Sequence, residues 1–307
     1  MLRYIRNRIL ISLPTVLAVT LVVFLMLQLV PGDPAEIFLG EHFSTPQLLA
    51  EVRHQMGLDR PLYIQYLDFL WKALHGDLGR SLQTNVPVLE QIKNAFPSTL
   101  ELTVAAMGIS ILIGVLLGVI SALRHNTWVD SFSMFLALLG VSMPVYWFGL
   151  LCIFFFSVKL HWLPAIGGGD FKHLIMPASV LGLLNSSMLA RMIRSSMLEV
   201  LNEDYVRTAR AKGLHNRVVV MKHALRNALI PSVTVLGLQF GSMMGGAVLT
   251  ETIFTRMGLG KLYVDSIMNK DLPMVQGITL IIAISYILIN IAVDISYSYL
   301  DPRIRYE

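Results

Sequence analysis

Charge is scarce in this chain. Asp, Glu, Lys and Arg make up 14% of its 307 residues, against 55% hydrophobic residues. A soluble globule carries roughly a quarter charged residues, so the apolar excess belongs in lipid. Cysteine is nearly absent. The single Cys152 excludes an intrachain disulfide and a Cys-rich metal site, and reads as a small apolar filler. No H-E-x-x-H occurs, and the eight histidines are scattered. "GLGK" at Gly258–Lys261 lacks the full phosphate-loop pattern, because Leu262 stands where Ser or Thr is needed. No Ser/His/Asp grouping suggests catalysis. The chain is expected to be no enzyme by itself, to bind no metal or cofactor, and to bind no nucleic acid.

Long hydrophobic runs are what it has instead. Six segments, 9–30, 100–123, 131–158, 171–191, 229–252 and 275–300, approach or exceed the ~20 residues that cross a ~30 Å hydrocarbon core. Their backbones must be helical, since lipid offers no hydrogen-bond partner, and continuous apolar runs are not the alternating strands of a barrel. The expected fold is an all-α integral membrane protein with six transmembrane helices. The run beginning at Ile9 is longer than a cleavable signal core, so it is read as the first span. Six spans put both termini on one side. Assigning that side to the cytoplasm places about fourteen Lys and Arg inside and about five in the short outer loops, the positive-inside bias. The net charge of +4 and pI near 9.2 follow from that topology.

Loop 31–99 is too long for a structureless connector. "PGDP" (Pro31–Pro34) stops the first span, and three short helices are expected to follow as an external cap. The first has Ser44 or Thr45 as N-cap, Pro46 in its first turn and Gly57 past its end. The second runs from about Pro61 to His75 with an apolar stripe of Leu62, Tyr63, Tyr66, Leu67, Leu70, Trp71 and Leu74. The third starts near Pro87 and leads to Pro97. The cap packs on the membrane or the protein, or meets a soluble partner outside.

Within the spans, Gly114 and Gly118 lie four apart, as do Gly237, Gly241 and Gly245, a spacing that lets helices approach closely. Pro144 should kink the third span. Asp294 is the clearest ionisable residue in a span and is read as a structural ion-pair candidate with Arg191, with Arg194 an alternative partner. Asn185, Gln239 and Met243 are candidates to line a translocation pathway, by polarity or adaptability.

Loop 192–228 carries the functional argument. It contains "EDYVRTARAKG" (Glu203–Gly213), read as a polar break, a short helix from about Tyr205 to Lys212, and a stop at Gly213. Thr208, Ala209 and Ala211 keep that helix slim, while Arg207, Arg210 and Lys212 make it basic. A slim basic helix outside the membrane suits a groove on another protein. By charge alone the reading as an ordinary positive-inside loop stands ahead.

The wording of this loop, with "HALRNALIP" after it, resembles the coupling loop of ABC-type importer permeases of the dipeptide/oligopeptide/nickel family. "GLDRPLYIQY" (Gly57–Tyr66), "HGDLGRS" (His75–Ser81), "RSSMLEVL" (Arg194–Leu201), "TETIF" (Thr250–Phe254) and "DPRIRY" (Asp301–Tyr306) extend the resemblance over the whole chain and fit its B-type member. Thr208, Ala209 and Arg210 occupy the Glu-Ala-Ala slots of the broader importer pattern, and Pro231 comes about five residues late, both as in the peptide subfamily. Met257 stands where that subfamily usually has Pro.

The resemblance implies a type I importer permease, a single transmembrane permease domain over 1–307, in a bacterial inner membrane with both termini cytoplasmic. It implies a homologous C-type permease partner, two cytoplasmic ATPases that use ATP and Mg, and an extracytoplasmic substrate-binding protein. Asp204, Tyr205, Arg207, Thr208, Ala209, Arg210, Ala211, Lys212, Gly213 and Leu214 would couple to an ATPase. Short peptides, glutathione included, are the expected cargo. Nickel or a metal chelate is the alternative within the family, and a secondary transporter the alternative class.

Overall fold

The computed structural model describes residues 2–28, 33–39 and 45–300; the side chains of 2–9, 27, 37, 38, 234 and 293–300 are outside the description. Among the described residues the only extended pairing is an isolated bridge between Arg80 and Pro87. The helices in order are α1 (Leu2–Gln28), α2 (Pro34–Leu39), α3 (Pro46–Met56), α4 (Leu62–Leu74), α5 (Val88–Leu123), α6 (Trp128–Ser142), α7 (Val145–Cys152), α8 (Phe171–Leu201), α9 (Asp204–Ala211), α10 (Asn216–Val218), α11 (Leu225–Ala228), α12 (Ile230–Ile253), α13 (Leu259–Met268) and α14 (Leu272–Leu300). π-helical stretches follow α7 (Ile153–Lys159) and α10 (Val219–Ala224).

Among the described residues, α5, α8, α12 and Leu272–Ala292 of α14 are long and apolar enough to cross a membrane. The pair α6 and Val145–Lys159 makes a fifth candidate if it is one span, and Leu10–Met26 of α1 is a shorter apolar helix. The third expected span is broken rather than kinked: its two halves differ in direction by 105°. Met143 is the cause. It precedes Pro144 and takes an extended conformation, ψ 128°, because the proline ring disfavours the helical region one residue upstream.

The chain forms two compact units, one of residues 1–98 and 257–287, the other of 99–256 and 288–307. In the first, Leu78, Val88, Ile92, Leu259, Met274 and Ile278 form the core. The cap helices take the ends expected of them. Thr45 caps α3 by accepting from the Leu48 N–H at 3.4 Å, and Gly57 closes it at φ 69°. Tyr66 of α4 donates its hydroxyl to the Leu17 carbonyl of α1 at 2.9 Å. On α4, Leu62, Tyr63, Leu67, Trp71 and Leu74 remain exposed. Buried Asp271 caps α14 and holds the loop before α5: it accepts from Ser81 Oγ at 2.5 Å and from the Leu82 N–H at 3.2 Å.

Two expectations for the cap are corrected. No third short helix ends at Pro97, because α5 runs through that proline for 36 residues. Val88 and Ile92, buried before Pro97, fix the early turns, so losing one backbone bond does not end the helix. The short helix α2 was not anticipated. Its signal is Asp33-Pro34, with Asp33 Oδ1 accepting from the Ala35 N–H at 3.0 Å. Pro31, Gly32 and Ser44 lie outside the described residues.

In the second unit α8 is the central helix, with α5, α6 and α12 packed on it. Glycines permit the close approach. A Cβ at Gly118 would lie 2.7 Å from the Ala190 carbonyl oxygen, and one at Gly114 2.9 Å from Leu189 Cβ. The reciprocal glycine on α8 is Gly182, whose Cβ would lie 2.6 Å from the Ala106 carbonyl oxygen. Gly114 and Gly118 are thus a seam within the chain, whereas a Cβ at Gly245 of α12 would meet open space. Cys152 packs among Val145, Phe148, Ile153 and Leu184 as a filler.

Candidate functional site

Loop 192–228 folds into a defined structure. Asp204–Ala211 is helical, close to the expected bounds. Its underside is apolar: Val206 and Ala209 are buried against Val219, beside Val200 and Leu201. Tyr205 adds a polar tie, its hydroxyl accepting from Asn227 Nδ2 at 2.8 Å. The Thr208 hydroxyl turns back to donate to the Asp204 carbonyl at 2.9 Å. Gly213 ends the segment at φ 75°, a conformation glycine adopts without strain, and its N–H donates to the Arg210 carbonyl at 3.0 Å.

Among the ten residues singled out there, Asp204, Tyr205, Arg207, Thr208, Arg210, Ala211, Lys212, Gly213 and Leu214 are exposed. Ala209 is the exception. It is 6% exposed and belongs to the supporting underside, not to an outward face. The result is a small basic helix on a fixed seat, open on one side.

Arg194, on the same helix that leads into this loop, forks onto buried Asp130 at the start of α6. Nε reaches Oδ1 and Nη2 reaches Oδ2, each at 2.8 Å. Ser121 Oγ, the Asn126 N–H at 3.1 Å and His125 Nδ1 at 3.3 Å complete the shell around that carboxylate. Sequence reasoning assigned Arg194 elsewhere, as an alternative partner for Asp294. Arg191 is exposed, and the side chain of Asp294 lies outside the described residues. The missed signal was an acidic residue opening an apolar segment within one turn of Ser121–Asn126.

At the other end of α12, within "TETIF", fully buried Glu251 accepts from Thr99 Oγ1 at 2.6 Å. Buried Arg256 donates from Nη2 to Glu101 Oε2 at 2.5 Å. Neither pair was anticipated.

Two of the three pathway candidates come together. The break between α6 and α7 opens a cavity of about 410 Å³ against α8 and α12, and both Asn185 and Gln239 line it. Gln239 Nε2 donates to the Asn185 carbonyl at 2.8 Å. Met243 does not line it. At 1% exposure it sits in the core with Leu102, Leu181 and Ala247, because it is one turn further along the same face of α12, beyond the cavity, where side chains of α5 and α8 surround it.

A bundle of apolar helices, with a broken span beside a cavity and an ordered basic helix outside the spans, defines a multi-pass membrane protein. The chain belongs to the family of binding-protein-dependent transport system inner membrane components, whose model matches residues 114–306, with the N-terminal model of the same systems matching 1–103. It is 44% identical to the dipeptide transport system permease protein DppB of Alkalihalophilus pseudofirmus and 46% to the di/tripeptide permease protein DppB of Pseudomonas aeruginosa. It is 44% identical to the glutathione transport system permease protein GsiC of Salmonella typhimurium. Each match covers 100% of both chains. Among solved structures it is similar to a chain of the inward-facing MetNI methionine ABC transporter, with TM-score 0.61 and 18% identity over 69% of this chain and 97% of that one. It is also similar to a chain of an amino acid ABC transporter, with TM-score 0.51 and 16% identity over 70% and 94%. At those identities the likeness is one of fold. The protein is therefore a multi-pass inner-membrane permease component of an ABC transport system.

Proposed function

We propose that this chain is one of two permease subunits of an ATP-driven importer of short peptides. Its other subunits are a homologous C-type permease, two cytoplasmic ATPases that hold and hydrolyse Mg-ATP, and an external binding protein that delivers cargo. The whole chain, 1–307, serves as one transmembrane permease domain with both termini cytoplasmic. Full-length identity of 44–46% to permeases named for dipeptides, di/tripeptides and glutathione supports the cargo class.

The observation that carries the coupling role is the seated helix α9, open on Arg207, Arg210 and Ala211 and followed by exposed Lys212. A helix fixed by its apolar underside transmits displacement, whereas a loose loop absorbs it. ATP-driven closure of the ATPase pair moves α9 and its counterpart, and the bundles reorient about a central path by rigid-body motion. Asp204, Tyr205, Thr208, Gly213 and Leu214 shape or border the docking face, and Ala209 supports it from beneath.

The test is reversal of charge on the open face. In membranes holding the full complex, Arg210→Glu should abolish most binding-protein-stimulated ATP turnover while the chain remains inserted. Normal turnover and normal co-purification of the ATPases would remove α9 from the coupling role.

A further inference from the structure

The cavity at the broken span contains a buried acceptor with nothing to accept. Its wall comprises Gly140, Val141, Met143, Val145, Leu184, Met188, Val235 and Leu238, with Asn185, Gln239 and Ser242 the polar exceptions. Gln239 is 5% exposed. Its Nε2 is committed to the Asn185 carbonyl at 2.8 Å, and its Oε1 is buried without a hydrogen-bond partner among the described residues. Asn185 does not supply the donor: its Nδ2 is turned back to the Leu181 carbonyl at 2.8 Å and makes no bond to Gln239 Oε1. Buried acceptors are normally paired, and an unpaired one on a residue that lines a cavity points to a visiting donor, reached when the side chain turns toward the cavity.

The rest of the wall narrows what that donor is. It has no carboxylate, imidazole or thiolate. A bare divalent cation finds no ligand set there, and an isolated ammonium finds no counter-charge. A neutral N–H does fit, and hydrocarbon beside it suits a variable side chain. Met143 and Met188 add thioethers that repack around different shapes.

We propose that this cavity is a transient substrate subsite that reads the peptide backbone, a substrate amide N–H donating to Gln239 Oε1 while the substrate side chain lies on the apolar wall. This rests on the peptide-importer reading above. The subsite selects for a backbone N–H and not for a particular side chain, so it tolerates peptides that differ in composition.

The experiment uses the complete transporter in proteoliposomes, with saturating binding protein and ATP. Uptake of alanylalanine is compared with uptake of its analogue methylated at the peptide nitrogen, which lacks the N–H. Gln239→Leu should lower alanylalanine uptake about tenfold and analogue uptake less than twofold, the loss of one well-made hydrogen bond. A purely structural role lowers both together, and that result, or no change in either, overturns the subsite.

Met188→Trp gives an independent reading from an exposed position on the cavity wall. It should reduce tripeptide uptake at least threefold more than dipeptide uptake. Equal effects overturn the proposal, and this arm decides alone if Gln239→Leu fails to co-purify with its partners or the analogue is not carried. Wild-type complex that takes up no peptide at all refutes the importer reading, and the subsite with it. Normal wild-type uptake with unaltered selectivity in the variants refutes the subsite only.

Discussion

Arg194 and Asp130 meet fork to fork, with two contacts of 2.8 Å and side-chain exposures of 27% and 7%. The pair joins the start of α6 to the part of α8 that leads into α9. Asp130→Ala strands a guanidinium that keeps partial access to water, so the expected loss is about 2–3 kcal/mol, below the usual range for a fully buried pair. Arg194→Lys, with Asp130 intact, should also lose stability, since an ammonium lacks the planar fork. Thermal unfolding of the purified chain in detergent checks both, and a double-mutant cycle should return a coupling of at least about 1 kcal/mol.

Two alanines two residues apart on the α9 segment should behave oppositely. Ala209→Glu drives a carboxylate into the patch formed with Val206 and Val219. Backbone amide exchange over 204–211 should then accelerate about a hundredfold, the cost of an unpaired buried charge appearing as local opening. Ala211→Glu points into open space. It should leave exchange unchanged and reduce stimulated ATP turnover, which separates the seat of the helix from its working face.

Gly213 has φ 75°, and no atom lies near its missing side chain. Substitution there is a matter of backbone conformation, not of space. Gly213→Val should cost about 1–2 kcal/mol of local stability, and Gly213→Asn less than half of that. Equal protection of 204–213 against proteolysis in the two variants would show that the turn is held by something else.

Gly118 and Gly245 test the small-residue spacing from opposite directions. Gly118→Ala places a methyl 2.7 Å from the Ala190 carbonyl oxygen and should destabilise the bundle by about 1–3 kcal/mol. Gly245→Ala meets nothing within 4 Å and should leave the isolated chain's melting temperature unchanged. If assembly of the transport complex then falls, the face of α12 at Gly245 is one that another subunit covers.

Much of this architecture is written in local chemistry. Hydropathy located the apolar helices, Thr45-Pro46 and Gly57 bounded α3, and Gly213 marked the end of the α9 segment, because each is decided by nearest neighbours. The misses share another cause. Pro97 was read as a boundary, but burial of Val88 and Ile92 overrides it. Arg194 was matched to Asp294 as the ionisable residue within a span, and only the packing of α6 on α8 chooses Asp130. Ala209 and Met243 were placed by type, whereas their surroundings depend on helix rotation for the first and on depth along α12 for the second, which composition does not report. The break at Met143 was legible as a bend, and its 105° turn was not.

From Asn185 to Leu201, α8 contains neither proline nor glycine, and it spans roughly 24 Å at 1.5 Å per residue. Such a rod is stiff over its own length. A push on the end beside α9 therefore reaches Asn185, on the wall of the cavity, with little lost to bending. With α9 as the proposed coupling helix, the stroke available at the cavity would be set by how far α9 travels, and its timing by whatever moves it. On that proposal, lengthening the loop before α9 with glycines should add slack between α9 and this rod, and should uncouple ATP turnover from uptake without altering either end.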